Sequence, residues 1–248
     1  MNPTLLITGG SRGIGAAAAV LAARDGWDVA INYTRDAAAA ERVAAQVRAA
    51  GRRALVLQAD VSDEAQVLAM FAAVDKDFGP LRGMVNNAGV VDMPARVDQM
   101  SLQRLMRMFA INLTGSFLCA REAVKRMSTK HGGAGGVIVN LSSAAARLGS
   151  PGQYVDYAAA KAGIDTFTLG LAREVAAEGI RVNAVRPGII DTEIHASGGL
   201  PDRVKQTTPM VPMQRAGSAD EVAQAIVWLL SDASSYTTGA VIDVTGGR

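Results

Sequence analysis

Short β-branched runs alternate with alanine-rich stretches of helical length along the whole chain, and this alternation leaves few folds open. The runs "TLLIT" (4–8), "DVAINY" (28–33), "ALVLQAD" (54–60), "GMVNN" (83–87), "GVIVNLSS" (136–143), "IRVNAVRPG" (180–188) and "GAVIDV" (239–244) read as strands. Helical sequence fills 14–25, about 37–50, 63–77, 101–130 with an interruption near 112–115, 155–178 and 218–232, the last opened by the capping-type Ser218. Strands that are apolar on both faces and separated by helices predict an α/β fold, a mostly parallel sheet covered on both sides. With 248 residues, 49% of them apolar, the chain can bury one large core. No repeat or linker divides it, so residues 1–248 read as a single domain. Residues 189–217, irregular and placed directly after the sixth strand, read as a substrate lid or, alternatively, a plain surface loop.

Composition removes several classes of function. A net charge of +2, scattered along the chain, gives no electrostatic footprint for nucleic acid or an acidic membrane. The longest apolar run, residues 16–23, is too short to span a bilayer. The N-terminus runs straight into a strand without a leader pattern, and the one cysteine, Cys119, cannot form an intrachain disulfide. A soluble cytoplasmic protein is the expectation. His131 and His195 lie far apart without acidic or cysteine neighbours in ligand spacing, so no metal is expected. Ser11 and Ser142 lack a His-Asp partner set, which leaves a hydrolase triad unsupported. His195 falls within the lid, where it reads as an exposed loop histidine or, alternatively, a substrate contact.

Two stretches carry chemistry. The first strand ends in "TGGSRGIG" (8–15), with Gly9, Gly13 and Gly15 at the passage from strand to helix. Glycine allows the unusual backbone angles and close approach that a pyrophosphate requires, and the helix starting near Ile14 offers it free N–H groups and a partial positive charge. The second stretch, "GQYVDYAAAKAG" (152–163), places two tyrosines ahead of one lysine. Tyr157 precedes Lys161 by one helical turn, a rise of roughly 6 Å, and Tyr154 precedes it by roughly 10 Å. Only the nearer pair allows a strong field at the phenol, so Tyr157 is the acid/base candidate. Lys161 is expected to depress its pKa. Tyr154 reads as a pocket wall or a structural aromatic.

Thr8-Gly-x-x-x-Gly13-x-Gly15, Asn86-Asn87-Ala88-Gly89, Asn112, a serine pair after the fifth strand, Tyr157-x-x-x-Lys161 and Pro187-Gly188 follow one another in this order. Together they resemble the short-chain dehydrogenase/reductase family over essentially the whole chain. The resemblance implies a doubly wound sheet in the order 3-2-1-4-5-6-7, a nicotinamide dinucleotide, hydride transfer to or from a small carbonyl or alcohol, and a homotetramer. The helices at 101–130 and 155–178 are then the expected interfaces. It also implies that Gly9, Ser11, Arg12, Gly13, Ile14 and Gly15 form the phosphate turn, and that Asp60 and Val61 meet the adenine. Asn87, Ala88 and Gly89 line the middle of the cofactor, Pro187, Gly188, Ile190 and Thr192 its nicotinamide end, and Lys161 contacts the nicotinamide ribose.

Ser142 and Ser143 point to opposite faces of a strand, so one alone can serve as second donor to a substrate oxygen. Family position favours Ser143, although it stands fourteen residues before Tyr157, one more than the usual family spacing. Asn112, at the helical interruption, can hold a water that joins Lys161 to solvent, or can simply break the helix. At the adenosine ribose, Tyr33 stands where NAD-using relatives carry Asp, and Arg12 and Arg35 supply positive charge. This pattern favours NADP, with Asp36 leaving NAD open. The expected activity is an NADP-preferring oxidoreductase. The alternatives are an NAD-linked dehydrogenase of a polyol, sugar or steroid-like alcohol and, more remotely, a catalytically silent dinucleotide-binding regulator.

Overall fold

The computed structural model describes residues 2–248, apart from the side chain of His195. The reading of that histidine therefore lies outside the described residues. Seven strands form one parallel sheet: β1 Thr4–Ile7, β2 Asp28–Tyr33, β3 Ala54–Gln58, β4 Leu81–Asn86, β5 Gly136–Leu141, β6 Ile180–Pro187 and β7 Val241–Val244. Their order is β3-β2-β1-β4-β5-β6-β7, the order implied by the resemblance. Between them run α1 Gly13–Arg24, α2 Ala37–Ala49, α3 Glu64–Asp77, α4 Leu102–Phe109, α5 Gly115–Met127, α6 Ala145–Leu148, α7 Val155–Val175, α8 Ile194–Ser197, α9 Arg203–Thr207 and α10 Ala219–Leu230. None of the described helices is long and apolar enough to cross a membrane.

The period-two rule sorts the central strands between two cores. Leu5 and Ile7 of β1 face α1, α2 and α10, where they meet Ala18, Ala22, Val43, Val47, Ile226 and Leu229. Leu6 faces the other way, toward Val67, Phe71 and Val74 of α3, Ala120 and Met127 of α5, and Val175 of α7. Fully burying a Leu, Ile or Phe side chain contributes about 1.5–3 kcal/mol. The alanine face of α1 has its own purpose: with Ala18, Ala19, Ala22 and Ala23 buried, the helix fits between the sheet, α2 and α10.

The interruption expected near 112–115 is not a break. Residues Ala110–Thr114 form a π-turn that carries α4 directly into α5. Its cause is visible at Asn112, which is fully buried: Nδ2 donates to the Met108 carbonyl, an acceptor that a regular helix would give to the main chain. The helix expected over 155–178 ends at Val175 and tightens into a 3-10 turn, Ala176–Glu178, before Gly179 in the left-handed region.

Sheet order reverses between β1 and β4, so the connections after those strands part at their carboxyl ends and leave a crevice there. The 189–217 segment rises from β6 above it. Its two ends are joined: the Asp191 N–H donates to Gly217 O and the Gly217 N–H to Ile189 O, both at 2.9 Å. Its far side packs on the connection after β4. A Cβ on Gly198 would come within 2.5 Å of Val91 Cγ2, so only glycine allows that approach.

Candidate active site

The glycine turn is held open by polar groups from neighbouring strands. Thr8 Oγ1 accepts from the Asn87 and Ala88 N–H groups at 3.0 and 3.1 Å, and Asn87 Nδ2 donates to Thr8 O and Gly9 O, both at 2.9 Å. Asn32 of β2 accepts from the Gly9 N–H at 3.2 Å and donates to Ala59 O at 2.9 Å. Gly9 and Gly13 have φ of 61° and 53°, and a Cβ on Gly15 would lie 2.5 Å from both Asn87 Nδ2 and Gly9 O.

The helix that follows has no cap of its own. Arg12 is its N-cap and accepts nothing through its side chain, whereas Asp36, Asp63, Ser101 and Ser218 each cap the helix they open. Among the described residues, the main-chain N–H groups of Ser11 to Ile14 have no hydrogen-bond partner. Free N–H groups at a helix start, on a loop kept glycine-thin, fit the diphosphate of a dinucleotide. Thr192 and Glu193 of the 189–217 segment lie beside Gly13, with Glu193 Oε2 at 3.7 Å from where its Cβ would be.

Toward the expected adenosine end, Arg12 and Arg35 are exposed, and neither forms an ion pair among the described residues. Tyr33 ends β2 half-buried. Asp36 is already engaged: its Oδ1 accepts from the Ala39 N–H at 2.8 Å as the cap of α2. Asp60 Oδ1 folds back on Ser62, accepting from its N–H and hydroxyl at 2.9 and 2.7 Å. Val61 is buried against Gly115, whose Cβ would meet it at 2.7 Å.

A cavity of about 430 Å³ gathers the other end. Ile14, Asn87, Gly89, Ser143, Tyr157, Lys161, Pro187, Gly188, Ile190 and Thr192 all line it, together with Tyr154. The remaining expected residues lie outside it, along the carboxyl edge of the sheet. Gly188 is locked by close packing, since a Cβ there would lie 2.8 Å from Thr245 Cα. The two serines divide as strand geometry requires. Ser142 Oγ is buried and donates to Lys161 O at 3.1 Å. The Ser143 hydroxyl accepts from the Ala145 N–H at 3.1 Å and lies close enough to the Tyr157 phenol to pull its pKa down against burial.

Tyr157 and Lys161 share the first turns of α7, but their coupling differs from the expectation. Burial pushes the phenol above the ordinary tyrosine value, against the downward pull of the Ser143 hydroxyl and the Arg203 charge. Burial also draws Lys161 down to about 8, opposed by Asp165 one turn further on. Its Nζ donates to Leu141 O at 2.7 Å and lies 5.7 Å from the centre of the Tyr157 ring. Loss of solvent, rather than the neighbouring cation, dominates at this phenol.

Asn112 reaches the same place from the other side of Gly89. A Cβ on that glycine would lie 2.8 Å from Asn112 Oδ1 and 3.6 Å from Lys161 Nζ. The Asn112 amide donates to Val90 O and Met108 O at 3.0 Å each, and Oδ1 accepts from the Val90 N–H at 3.0 Å. One acceptor site on Oδ1 is left over.

Three participants are absent from the sequence reading. Asp156 accepts from the Tyr157 N–H at 2.9 Å and is gripped by Arg104 of α4 at 2.8 and 3.3 Å, which fixes the start of α7. Arg203 of α9 reaches into the cavity and stands over the Tyr154 ring, 5.0 Å from its centre. No spacing rule signals either contact, because both join residues about fifty positions apart. The stretch with the additional residue before Tyr157 forms a turn in which Gly149, Ser150 and Gly152 have φ of 72°, 47° and 70°. Among the described residues no three metal-ligating side chains come together.

Comparison with known proteins points the same way. The sequence profile of a family described as enoyl-(acyl carrier protein) reductase matches residues 9–248. The uncharacterized oxidoreductase YgfF of Escherichia coli K12 is 58% identical over 243 residues, covering 98% of each chain. The 3-oxoacyl-[acyl-carrier-protein] reductase FabG of Staphylococcus aureus Mu50 is 38% identical over 248 residues, all of this chain and 98% of its own. Among solved structures, a short-chain dehydrogenase from Burkholderia cenocepacia J2315 in complex with NADP superposes with a TM-score of 0.90 at 33% identity, covering 99% of this chain and 97% of that one.

Proposed function

The chain belongs to the short-chain dehydrogenase/reductase family and is an oxidoreductase, and from that premise we propose that it transfers hydride between NADP and a carbonyl or secondary alcohol, with Tyr157 as acid/base. The observation that carries this reading is the convergence of Ser143, Tyr157 and the buried Lys161 on one cavity of about 430 Å³ that Ile14 of the glycine turn also lines. The dinucleotide, when bound, supplies or takes up the hydride. The uncapped start of α1 would hold its diphosphate, and Asn87, Gly89, Pro187, Gly188, Ile190 and Thr192 would enclose its reactive end.

Ser143 Oγ and Tyr157 Oη then hydrogen-bond the substrate oxygen, fixing it and stabilising charge that develops on it. A phenol held protonated by burial suits the direction in which Tyr157 Oη gives its proton, carbonyl reduction. Lys161 Nζ, half-protonated near pH 8, sits where it can pass charge back toward Tyr157. A water held between Nζ and the spare acceptor site of Asn112 Oδ1 completes the path to solvent. The 189–217 segment serves as the lid, and its Thr192, Ile194 and Arg203 wall the cavity. Preference for NADP is supported by the unpaired Arg12 and Arg35 and by the engagement of Asp36 as a helix cap. Association of identical copies through α5 and α7 is supported by Phe117, exposed yet stacked on Phe167 at 3.8 Å, and by the exposed Leu169.

The test follows absorbance of reduced nicotinamide with each dinucleotide over a panel of ketones, aldehydes and alcohols. Tyr157→Phe should reduce turnover by about 10²–10⁴-fold and leave dinucleotide affinity nearly intact, while Tyr154→Phe keeps turnover. Normal turnover in Tyr157→Phe would refute the assignment.

A further inference from the structure

We propose that the substrate of this cavity carries a carboxylate in addition to its carbonyl, and that Arg203 of the lid binds that carboxylate. The inference rests on the reading of the cavity as the carbonyl site.

Arg52, Arg82, Arg181 and Arg248 are half-buried like Arg203 and likewise lack an ion pair among the described residues, and Arg248 also lines the cavity. Only Arg203 stands over an aromatic ring of the cavity wall. Other half-buried arginines are instead held by carboxylates. Arg104 is held by Asp156, Arg186 by Asp165 and Asp243, and Arg126 by Asp75 and Glu122. Arg203 is half-buried and has no carboxylate partner among the described residues. It meets only neutral groups: Nη1 donates to Gln153 Oε1 at 2.5 Å, and the guanidinium stands over the Tyr154 ring, where burial raises the phenol's pKa and the Arg203 charge works against that rise. A guanidinium stays charged at any physiological pH and has five N–H donors in a planar fork. Gln153 and Tyr154 leave most of that fork unmatched while keeping it aimed.

The surroundings narrow the ligand. Among the described residues no Asp or Glu side chain lines the cavity, whose walls include the apolar Val91, Leu148, Pro151, Ile189 and Ile194 as well as the basic Lys161 and Arg248. An anion entering here exchanges water for a fork that binds carboxylates in bidentate fashion. Arg203 lines the same cavity as Tyr157, and its charge partly offsets the rise that burial imposes on that phenol's pKa. The anion site and the proton donor therefore lie within one small cavity, so a single short substrate can engage both. Since the arginine is delivered by the lid, a carboxylate would also hold the lid down.

A series of methyl ketones measures this directly: 3-oxobutanoate, 4-oxopentanoate and 5-oxohexanoate, each beside its methyl ester. Oxidation of NADPH gives kcat/KM, and calorimetric titration of the same acids into the protein loaded with NADP gives binding without turnover. At one chain length or more, the acid should exceed its ester by about 10- to 100-fold. Arg203→Met should bring the acid down to the level of the ester, chiefly through KM, and Arg203→Lys should recover part of the difference. Esters equal to or better than the acids at every length, or an acid preference unchanged in Arg203→Met, would overturn the inference. So would failure of every acid to bind. If the acids bind through Arg203 but no carbonyl compound turns over, the anion site stands and the carbonyl reading fails.

Discussion

Raising the pH from 8 to 9 should stabilise the protein, and the effect should come from Lys161. Its ammonium prefers the unfolded chain, where it titrates near 10.5, to the buried site, where it titrates at about 8. This handicap, about 3 kcal/mol when complete, is present below pH 8 and lifts as pH rises toward 10.5. Cys119 opposes it. Burial raises its thiol from 9.0 to about 12, so the stability it contributes is present below pH 9 and is lost as pH climbs to 12. Each group alone changes stability by at most about 1.4 kcal/mol per pH unit. Lysine should prevail between pH 8 and 9, for a net gain of about 0.5–1 kcal/mol, and the two should nearly cancel between 9 and 10. Tyr154 and Tyr157, both raised above 10, leave pH 8 to 9 unaffected and begin to subtract stability as pH approaches 10. Removing one group exposes the other: Cys119→Ala should gain about 2 kcal/mol from pH 8 to 10, and Lys161→Met should lose about 1. For a chain of this size 1 kcal/mol corresponds to about 2–4 °C in Tm. Urea unfolding followed by tryptophan fluorescence, at fixed ionic strength and protein concentration, reads all three slopes. A Lys161→Met protein that keeps the wild-type rise, or a Cys119→Ala protein that stays flat, would refute the reasoning.

Ser143→Ala should lower kcat by about 10²–10³-fold, as loss of one donor to a developing oxyanion does. Ser142→Ala should instead cost about 1 kcal/mol of stability, through its lost bond to Lys161 O, and leave kcat within a few-fold; equal, small effects of both on kcat would remove serine from the mechanism. Replacing Arg12 and Arg35 together by Ala should weaken NADP binding about 10- to 100-fold and leave NAD within about twofold, measured by titration with each dinucleotide. Asp36→Asn should change neither, because Asn caps α2 as well as Asp does. A selective loss of NAD affinity in Asp36→Asn would make Asp36 the ribose partner and overturn the preference for NADP.

The seven strands could be read from the sequence by local rules, whereas their order in the sheet came with the family resemblance carried by the motifs. A run apolar on both faces must lie inside a sheet, and the residues after β1 and β4 then fall at its reversal point. The Tyr157–Lys161 pair was visible for the same reason, as one turn of helix fixes their spacing. Its electrostatics were not, because spacing gives the distance between two charges and says nothing of the solvent removed around them. At Asn112 the letters signalled an irregularity without its kind. A break and a π-turn look alike in sequence, and the choice depended on the Met108 and Val90 carbonyls finding the side-chain amide. Arg203, Arg104 and Asp156 were out of reach altogether, since each acts through a partner brought near only by the completed fold.

The bond pair between Ile189, Asp191 and Gly217 makes the excursion it closes an exchangeable part. A loop clipped at its base leaves the sheet indifferent to what lies between the clips, and the entropic cost of a longer or shorter insert grows only with the logarithm of its length. Residues 194–216 can therefore drift, or be transplanted from a relative, with β6 and α10 still in register and Thr192 still beside the glycine turn. The glycine turn and the Ser143–Tyr157–Lys161 cluster lie outside the clip, and Arg203 lies inside it. New substrates would thus be reached by recasting one surface segment, while the reaction itself stays where it is.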